Sequence, residues 1–576
     1  MSDNLTLAEF PPVSTADWDA VVLKDLKGAA PKSKLYYRAE DLRGLEYLDS
    51  APGEFPYTRG TRTENEWRIR AVVADAASAR AALESGAEEI CFVLGDQNID
   101  DVLTFLPPCE VHFDAEKRAA ELLQQLTGGR ALAGAGVHPR SVDYEPLADF
   151  DQAADLVRRS RTIPDFHPIT VRAHRFPESG ATIIQELALA LAEGVEIIAQ
   201  LTGCGLETGE AAQALAFSFA IASNYFMEIA KLRAARTLWA RAIESFHPAE
   251  SGAAKMTIYA RTAHFNKTVY DPYLNVLRAT TEAMAAAIGG ADSVQVEAFD
   301  DTYREPNATS LRLARNTQLV LKQEAWLDRT VDAAGGSYYL ENLTDSLARE
   351  AWKLFQEIEA VGGFLKYSES GVLDQAIAKA KTDRETGVST RRTAIVGTNQ
   401  YPNLQERMLD KIAHQDPAPR PARIFEEIRL RTERHAAHTG HTPKFLLLES
   451  GDLKMRKARS GFSANFFGCA GFEIQIADEL AGDPDVVVLC SADPEYAALA
   501  PRVIQELRNA GKTTPVIVAG NPADSIAQLK QAGVADFVHV RSNAAEVLRA
   551  WQQRLEGGLQ PAPDFSPATG GGSDAA

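Results

Sequence analysis

The sequence predicts an α/β protein in two parts, a (β/α)₈ TIM barrel followed by a smaller flavodoxin-like, doubly wound domain. Two observations support this fold class. Short β-rich runs alternate with amphipathic helical patterns over the first 300 residues, and eight such runs can be counted. Five further apolar runs, again separated by helical patterns, follow Pro443. Alternating strands and helices are typical of parallel sheets covered by helices, and eight strands close a barrel.

The eight predicted barrel strands are short runs rich in β-branched and apolar residues. They are Glu66 to Val73, Glu88 to Leu94, Cys109 to Asp114, Arg130 to His138, His167 to His174, Glu196 to Leu201, Lys255 to Thr262 and Ser293 to Asp300.

Between these strands, apolar residues recur at helical spacing. Thr182 to Glu193 predicts a helix that stops at Gly194. Ala211 to Ser245 is too long for one ordinary helix, so we expect two packed helices with a break at Asn224. Two further helices, roughly Ser310 to Asp328 and Thr344 to Val361, follow the last strand.

Shifts in composition divide the chain into five predicted segments. The polar, proline-containing stretch after Gln400 indicates a domain boundary. The tail is too poor in apolar residues to pack, so it is expected to be disordered. The segments are an N-terminal arm (1–54), the barrel (55–400), a linker carrying one helix (401–442), the second α/β domain (443–560) and the tail (561–576).

Charge and composition exclude several classes of function. The chain has 79 acidic and 60 basic residues, a formal net charge of −19, which disfavours binding to nucleic acid or to an anionic membrane surface. No stretch of about 18 apolar residues and no export signal is found. The five cysteines have no CxxC spacing, which indicates the reducing cytoplasm. Proteins and small molecules are the expected partners.

Three histidines in the linker, His435, His438 and His441, stand three residues apart and could share a helical face as metal ligands. No acidic or thiolate partner lies close in sequence, and a Thr-Gly pair precedes His441. We therefore interpret them as a solvated face of the linker and predict no metal site.

Several long segments, in the same order, resemble the B12-dependent methylmalonyl-CoA mutase family. The similarity extends from about Phe55 to the end of the second domain. The segments are Thr58 to Arg70, Asn224 to Ala240, Asn266 to Ala287, GGADS at Gly289, Arg312 to Glu324 and Val331 to Leu347. The resemblance implies that acyl-CoA would lie along the barrel axis, with adenosylcobalamin between the barrel mouth and a cobalamin-binding C-terminal domain.

That resemblance also implies a cobalt-ligating histidine in a DxHxxG motif, which this chain lacks. No histidine lies between His441 and His539. Alignment places Leu453 or Lys454 at the motif's aspartate, Met455 or Arg456 at its histidine, and Ala458 or Arg459 at its glycine. Arginine has no lone pair to donate and a thioether is a weaker ligand than imidazole. We expect a degenerate cobalamin loop and no cofactor or metal bound by this chain.

The barrel positions that would contact substrate are altered as well. By resemblance, Ala173, His174 and Arg175 replace a GYH segment, so that Arg175 stands where a histidine would bind the thioester. Tyr259 and Arg261 replace a histidine and a glutamine, and Val72 replaces a tyrosine. Arg172 stands at a small serine, where its side chain is expected to fill the channel. We predict no catalytic residue in this chain.

The resulting interpretation is a small, non-catalytic subunit of a heterodimeric enzyme of this family. Its partner would be a catalytic large subunit that carries adenosylcobalamin and interconverts (R)-methylmalonyl-CoA and succinyl-CoA. Two alternatives stay open. The chain could itself be an adenosylcobalamin-dependent acyl-CoA mutase that binds base-off cofactor without a protein ligand. It could instead be a regulatory protein that binds acyl-CoA or a nucleotide, in which Arg175 and Arg261 form an anion site. Neighbouring carboxylates such as Glu297 or Asp301 could equally pair with these two arginines.

Overall fold

The computed structural model of the chain describes residues 15–25, 52–62, 64–115, 118–127, 136–147, 149–249, 252–414, 416 and 418–555. Most of the predicted N-terminal arm and the whole of the tail from residue 561 lie outside the described residues. Within the arm, helix α1 spans Thr15–Asp25.

Eight parallel strands form the first sheet, in the order β4-β3-β2-β1-β8-β7-β6-β5. A single parallel bridge between Ser141 and His167 joins the two ends of this order and completes the ring. The predicted (β/α)₈ barrel is therefore confirmed. Its strands are β1 (Arg68–Val73), β2 (Glu89–Val93), β3 (Cys109–Asp114), β4 (Val137–Val142), β5 (Ile169–Val171), β6 (Leu215–Ile221), β7 (Thr257–Thr262) and β8 (Ser293–Gln295).

Helices surround the barrel. Between the strands lie α2 (Ala76–Glu84), α3 (Ile99–Phe105), α4 (Ala119–Thr127), α5 (Phe150–Ser160), α6 (Arg175–Ser179), α7 (Ile183–Gly203), α8 (Thr208–Gln213), α9 (Tyr225–Glu244) and α10 (Leu274–Ile288). After the last strand come α11 (Ala308–Leu319), α12 (Tyr338–Ala360), α13 (Phe364–Glu369) and α14 (Val372–Ser389).

Strand β6 corrects the prediction for the sixth strand. Residues 196–201 lie inside helix α7, whereas the true sixth strand, Leu215–Ile221, lies in the segment that we expected to be helical. All seven residues of β6 are buried, so its continuous apolar run carries no alternation to distinguish it from a buried helix. Asn224 consequently precedes a single helix, α9, and does not separate two.

Helix α7 also passes through its expected stop at Gly194 and continues to Gly203. Its first turn is held by a capping box, in which the hydroxyl of Thr182 accepts from the backbone of Gln185 and the Gln185 side chain accepts from the backbone of Thr182. Gly194 has an ordinary negative φ and lies against the ring of Trp239. Close packing, and not helix termination, explains this glycine.

Other boundaries differ by a few residues. Most of the predicted fourth strand, Arg130 to His138, lies outside the described residues, and β4 begins at Val137. The helix expected from Ser310 begins at Ala308, and after Leu319 it widens into a π-helical turn, Val320–Glu324. The helix expected from Thr344 begins at Tyr338 because the Ser337 side chain caps it.

The second domain is a five-stranded parallel sheet in the order β10-β9-β11-β12-β13, which is the flavodoxin-like order and confirms the predicted fold class. The strands are β9 (Lys444–Glu449), β10 (Glu473–Ala477), β11 (Val486–Cys490), β12 (Val516–Ala519) and β13 (Val534–Val538). The helices are α16 (Leu453–Gly468), α17 (Tyr496–Asn509), α18 (Ile526–Ala532) and α19 (Ala544–Leu555). One apolar cluster packs on each face of the sheet.

Helix α15, Arg423–Thr439, lies between the two sheets and packs on the barrel. The Tyr270 hydroxyl donates to Glu433 at 2.9 Å, and Glu426 accepts from the backbone N–H of Val269 at 2.8 Å. Of the three linker histidines, His435 and His438 belong to α15, whereas His441 follows it and contacts Asp485 at 2.8 Å.

All five cysteines lie within the described residues and are free. The described helices include none that combines the length and apolar character needed to cross a membrane.

Candidate functional site

The carboxyl ends of the barrel strands meet at one mouth, where TIM barrels carry their functional groups. Two of the predicted barrel positions, Val72 near the end of β1 and Arg261 near the end of β7, lie at this mouth, and Tyr259 lies two residues before Arg261 on β7. Val72 is 38% exposed. Together with Arg261 and Gln295 it lines a cleft of about 810 Å³ between the barrel mouth and α11.

A buried layer of polar side chains lies below this cleft. Arg70 donates to Glu89 at 2.6 Å, and its guanidinium lies 4.2 Å from the centre of the Tyr259 ring. The His112 ring packs edge-on against the same tyrosine, with ring centroids 5.6 Å apart. Burial raises the pKa of the Tyr259 phenol. Tyr259 is therefore part of the filled barrel interior.

His174 follows β5 and is half-buried, and its Nε2 lies 3.4 Å from the guanidinium of Arg261. Burial and then the charge of Arg261 lower the pKa of His174 to about 3, so the imidazole is neutral. Among the described residues, its Nδ1 has no hydrogen-bond partner. This ring cannot act as a cationic group at neutral pH.

Arg175 begins α6 and is paired with two carboxylates. It donates to Glu145, which follows β4, and to Glu193 of α7 at 2.9 Å. Glu145 also accepts two hydrogen bonds from Arg172, at 3.0 and 2.9 Å. Two arginines thus share one carboxylate, and Arg175 offers no simple place for an added anion.

Arg261, the other arginine of the anion-site alternative, donates to Glu297 at 2.7 Å. Burial alone would raise the pKa of Glu297, but Arg261 and His264 lower it well below its usual range. His264 contacts Asp301 at 3.5 Å and Asp416 at 2.9 Å. The mouth is therefore occupied by a network of opposite charges.

Sequence reasoning missed the acidic partners in this network. Glu297 and Asp301 were identified only as possible partners for the arginines, whereas Glu145, Glu193 and Asp416 were not considered. The sequence could have indicated Glu145, because a carboxylate that closely follows a barrel strand lies at the mouth. Glu193 and Asp416 had no such signal, since they reach the mouth from a covering helix and from the linker.

In the C-terminal domain, the residues predicted to form a degenerate cobalamin loop are helical. Leu453, Lys454, Met455 and Arg456 make up the first turn of α16, and the Asp452 side chain caps it by accepting from the backbone of Met455 at 2.8 Å. The following residues contain no glycine or proline before Gly461, so the helix starts at once. The expectation of a loop is wrong for these four residues.

Flavodoxin-like sheets bind ligands beside the carboxyl ends of the strands where the strand order reverses. Here that point lies between β9 and β11, and the Glu495 carboxylate occupies it. Glu495 accepts from the Ser491 hydroxyl and from the backbone N–H groups of Ala492 at 3.1 Å and Asp452 at 3.3 Å. A Cβ on Gly451 would lie 1.9 Å from this carboxylate, so the turn requires glycine.

The chain thus consists of a (β/α)₈ barrel and a flavodoxin-like domain, joined by a helical linker. Charged side chains of the chain itself occupy the usual ligand-binding position of each domain. These features define a two-domain α/β class of protein. The family model described as methylmalonyl-CoA mutase matches residues 140–444. The chain belongs to the methylmalonyl-CoA mutase family.

The relatives fall into two groups by name, small subunits of methylmalonyl-CoA mutase and proteins named simply as the mutase. The methylmalonyl-CoA mutase small subunit of Porphyromonas gingivalis is 38% identical, over 95% of this chain and 98% of the relative. That of Streptomyces virginiae is 32% identical, over 96% of this chain and 98% of the relative. The methylmalonyl-CoA mutase of Cereibacter sphaeroides is 31% identical, over 73% of this chain and 69% of the relative.

Proposed function

We propose that this chain is the non-catalytic small subunit of a heterodimeric methylmalonyl-CoA mutase, which supports a large subunit that isomerises (R)-methylmalonyl-CoA and succinyl-CoA. The observation that carries the proposal is the pairing of charges at the barrel mouth. Arg175, at the position of a thioester-binding histidine, is held by Glu145 and Glu193, and Arg261 is held by Glu297.

The same pairing argues against a regulatory acyl-CoA site built on Arg175 and Arg261. A guanidinium already bound to a carboxylate gains little by exchanging it for another anion, because that carboxylate would be left buried without its partner. Arg172 supports the proposal in the same way, because its bidentate pair with Glu145 fixes a large side chain where the resemblance implies a serine.

The residues present do not fit a cobalamin. The segment in place of the cobalt-ligating motif is a helical turn without an imidazole, and Glu495 fills the reversal point of the sheet with a carboxylate of the chain itself. We therefore assign adenosylcobalamin to the large subunit. A cofactor bound in the base-off form would meet the same filled position, which argues against the alternative that this chain is itself an adenosylcobalamin-dependent mutase.

A chain of this kind acts by association. A partner that binds only the folded large subunit stabilises it by mass action, which gives a non-catalytic homologue a reason to retain both domains. The formal charge of −19 favours a protein partner over nucleic acid, and the free cysteines suit the reducing cytoplasm.

Reconstitution tests the proposal. The chain and the large subunit from the same organism are purified separately, incubated with adenosylcobalamin, passed through a desalting column and assayed for mutase activity. We expect the isolated chain to retain no corrin absorbance and to show no activity, and the mixture to be active with one corrin per heterodimer.

A control separates this chain's role from that of its partner. Replacing the cobalt-ligating histidine of the large subunit by alanine should strongly reduce the activity of the mixture, since this chain offers no imidazole in its place. Turnover by the isolated chain, or stoichiometric corrin bound to it, would refute the proposal.

A further inference from the structure

One cluster at the barrel mouth combines an imidazole and three carboxylates, which come from three parts of the chain. His264 follows β7, Glu297 and Asp301 follow β8, and Asp416 comes from the linker. The ligand atoms of His264, Glu297 and Asp301 all lie within 4.8 Å of one another. This grouping is unlike the arginine–carboxylate pairs around it, because each of the three can donate a lone pair to a metal ion.

We propose that His264, Glu297 and Asp301 bind a zinc ion. Tetrahedral zinc holds nitrogen and oxygen ligands at about 2.0–2.2 Å, which places neighbouring ligand atoms about 3.3 Å apart. In the structure, His264 Nδ1 lies 3.2 Å from Glu297 Oε2 and 3.5 Å from Asp301 Oδ2. Two edges of the tetrahedron are therefore already close to the required length.

The atoms around the cluster orient its ligands. Asp416 lies 2.9 Å from Nε2 of His264, so a hydrogen on Nε2 leaves Nδ1 for the metal, the carboxylate–histidine–metal arrangement of many zinc sites. Arg261 donates to Oε1 of Glu297 at 2.7 Å, which leaves Oε2 free to ligate. Arg420 donates to the same oxygen of Asp416 at 2.5 Å and fixes that side chain.

The fourth coordination position faces solvent. Glu297 and Asp301 both line the 810 Å³ cleft, and the Asp301 side chain is 41% exposed. Three protein ligands with one open position are typical of zinc sites that bind water or a small anion. The proposed zinc site is a property beyond the small-subunit role proposed for this chain, and the argument for it does not depend on that role.

Ligand chemistry selects the metal. An imidazole nitrogen with two carboxylate oxygens suits zinc, whereas magnesium and calcium prefer oxygen ligands alone. We expect Co²⁺, a spectroscopic substitute for zinc, to give the strong visible absorption of four-coordinate cobalt. Mg²⁺ should bind at least about 100-fold more weakly than Zn²⁺, because it forgoes the imidazole and dehydrates reluctantly.

The experiment uses the full chain after treatment with a chelator. Isothermal titration with Zn²⁺, together with metal analysis after gel filtration, should show one site per chain. Asp301→Asn and His264→Gln should each weaken binding by at least about tenfold, which corresponds to about 1.4 kcal/mol. Asp416→Asn should weaken binding by about tenfold as a loss of orientation.

Glu305→Gln is the matched control, because Glu305 is an exposed acid that lines the same cleft but lies outside the cluster. Its zinc affinity should stay within about twofold of the wild type, a difference smaller than 0.5 kcal/mol. Circular dichroism establishes that each variant is folded, and the near-isosteric Asp301→Asn keeps the test valid if the histidine variant unfolds.

Two results would overturn the zinc proposal. One is a folded wild-type chain that retains no zinc at micromolar concentrations. The other is zinc binding that survives unchanged in Asp301→Asn and His264→Gln, which would place the ion elsewhere. Neither result bears on whether the chain lacks mutase activity, so the two proposals can fail separately.

Discussion

Glu193 shows how a single buried charge depends on its neighbours. It lies fully buried in α7 and pairs with Arg175 at 2.9 Å. Burial raises the pKa of Glu193 to about 7, although the charge of Arg175 opposes the shift. The protonated carboxyl is thus stabilised in the folded chain relative to the unfolded chain, where the pKa is near 4.5.

This shift predicts a pH-dependent stability. A raised pKa contributes stability that is complete below about pH 4.5 and is lost as pH rises through 7. Replacing the carboxyl by an amide removes the titration. The free energy of unfolding of Glu193→Gln should therefore rise by about 2–3 kcal/mol relative to that of the wild type as the pH increases from 4.5 to 8. Urea unfolding of both proteins at the two pH values measures the difference.

The control for this prediction is Glu244→Gln. Glu244 forms an exposed pair with Arg241 in α9, and such pairs contribute little. Its stability difference from the wild type should hardly vary with pH. If the wild type and Glu193→Gln respond to pH in parallel, the pKa of Glu193 is the same in the folded and unfolded chains, and the stated shift is wrong.

The acidic residues around the mouth account for most of what sequence reasoning could not find. Five residues were identified by position. The structure places Val72, His174, Arg175 and Arg261 near the carboxyl ends of the strands and Tyr259 in the barrel interior. Their partners were harder to find, because residues that meet in space are far apart in sequence. Arg175 and Glu145, for example, are separated by 30 residues.

At the scale of elements, α7 illustrates a glycine with a packing role. A Cβ on Gly194 would lie 2.8 Å from the ring of Trp239 on α9 and 3.0 Å from that of Phe217 on β6. The glycine therefore lets a strand and two helices approach closely. A helix-breaking residue is tolerated here because its neighbours need the space.

Gly194→Ala should destabilise the chain although alanine is the better helix former. The gain in helix propensity is about 1 kcal/mol, whereas overpacking a tight core costs about 1–3 kcal/mol. We expect a net loss of up to about 2 kcal/mol in chemical denaturation. Gly203→Ala is the control in the same helix, since a Cβ there meets nothing within 4 Å.

Gly203→Ala should leave stability unchanged or raise it by up to about 1 kcal/mol. Equal effects of the two substitutions would contradict a packing role for Gly194. The comparison is informative because both glycines lie in α7 and have ordinary helical backbone angles.

On the scale of the whole molecule, α15 connects the barrel to the C-terminal domain. Glu433 is the central residue of this junction, accepting from the Tyr270 hydroxyl at 2.9 Å and from the backbone N–H groups of Met408 and Leu409 at 2.9 Å each. Gln552 of α19 donates to Thr432 of α15 at 2.8 Å, so the same helix also contacts the second domain.

Tyr270→Phe should weaken this junction. The substitution removes a hydrogen bond to a buried carboxylate, which is worth about 1.5–3 kcal/mol, while preserving the ring. We expect a lower midpoint of thermal unfolding. Tyr273→Phe is the control, because Tyr273 is 69% exposed and its ring stacks on Phe299. If Tyr270→Phe lowers the midpoint of thermal unfolding no more than Tyr273→Phe does, the two backbone donors alone are enough to satisfy the Glu433 carboxylate.

The sequence by itself determined the fold class, because alternating strand and helix patterns and the number of apolar runs are local properties that survive small errors in boundaries. It also indicated that the cobalt-ligating motif is missing, since an absent histidine is visible without coordinates. The tertiary structure decided which run forms β6, why Gly194 is a glycine, and which carboxylates surround Arg175, Arg261 and His264. The physical reason is that burial and charge pairing depend on distances across the fold, which residue order alone does not specify.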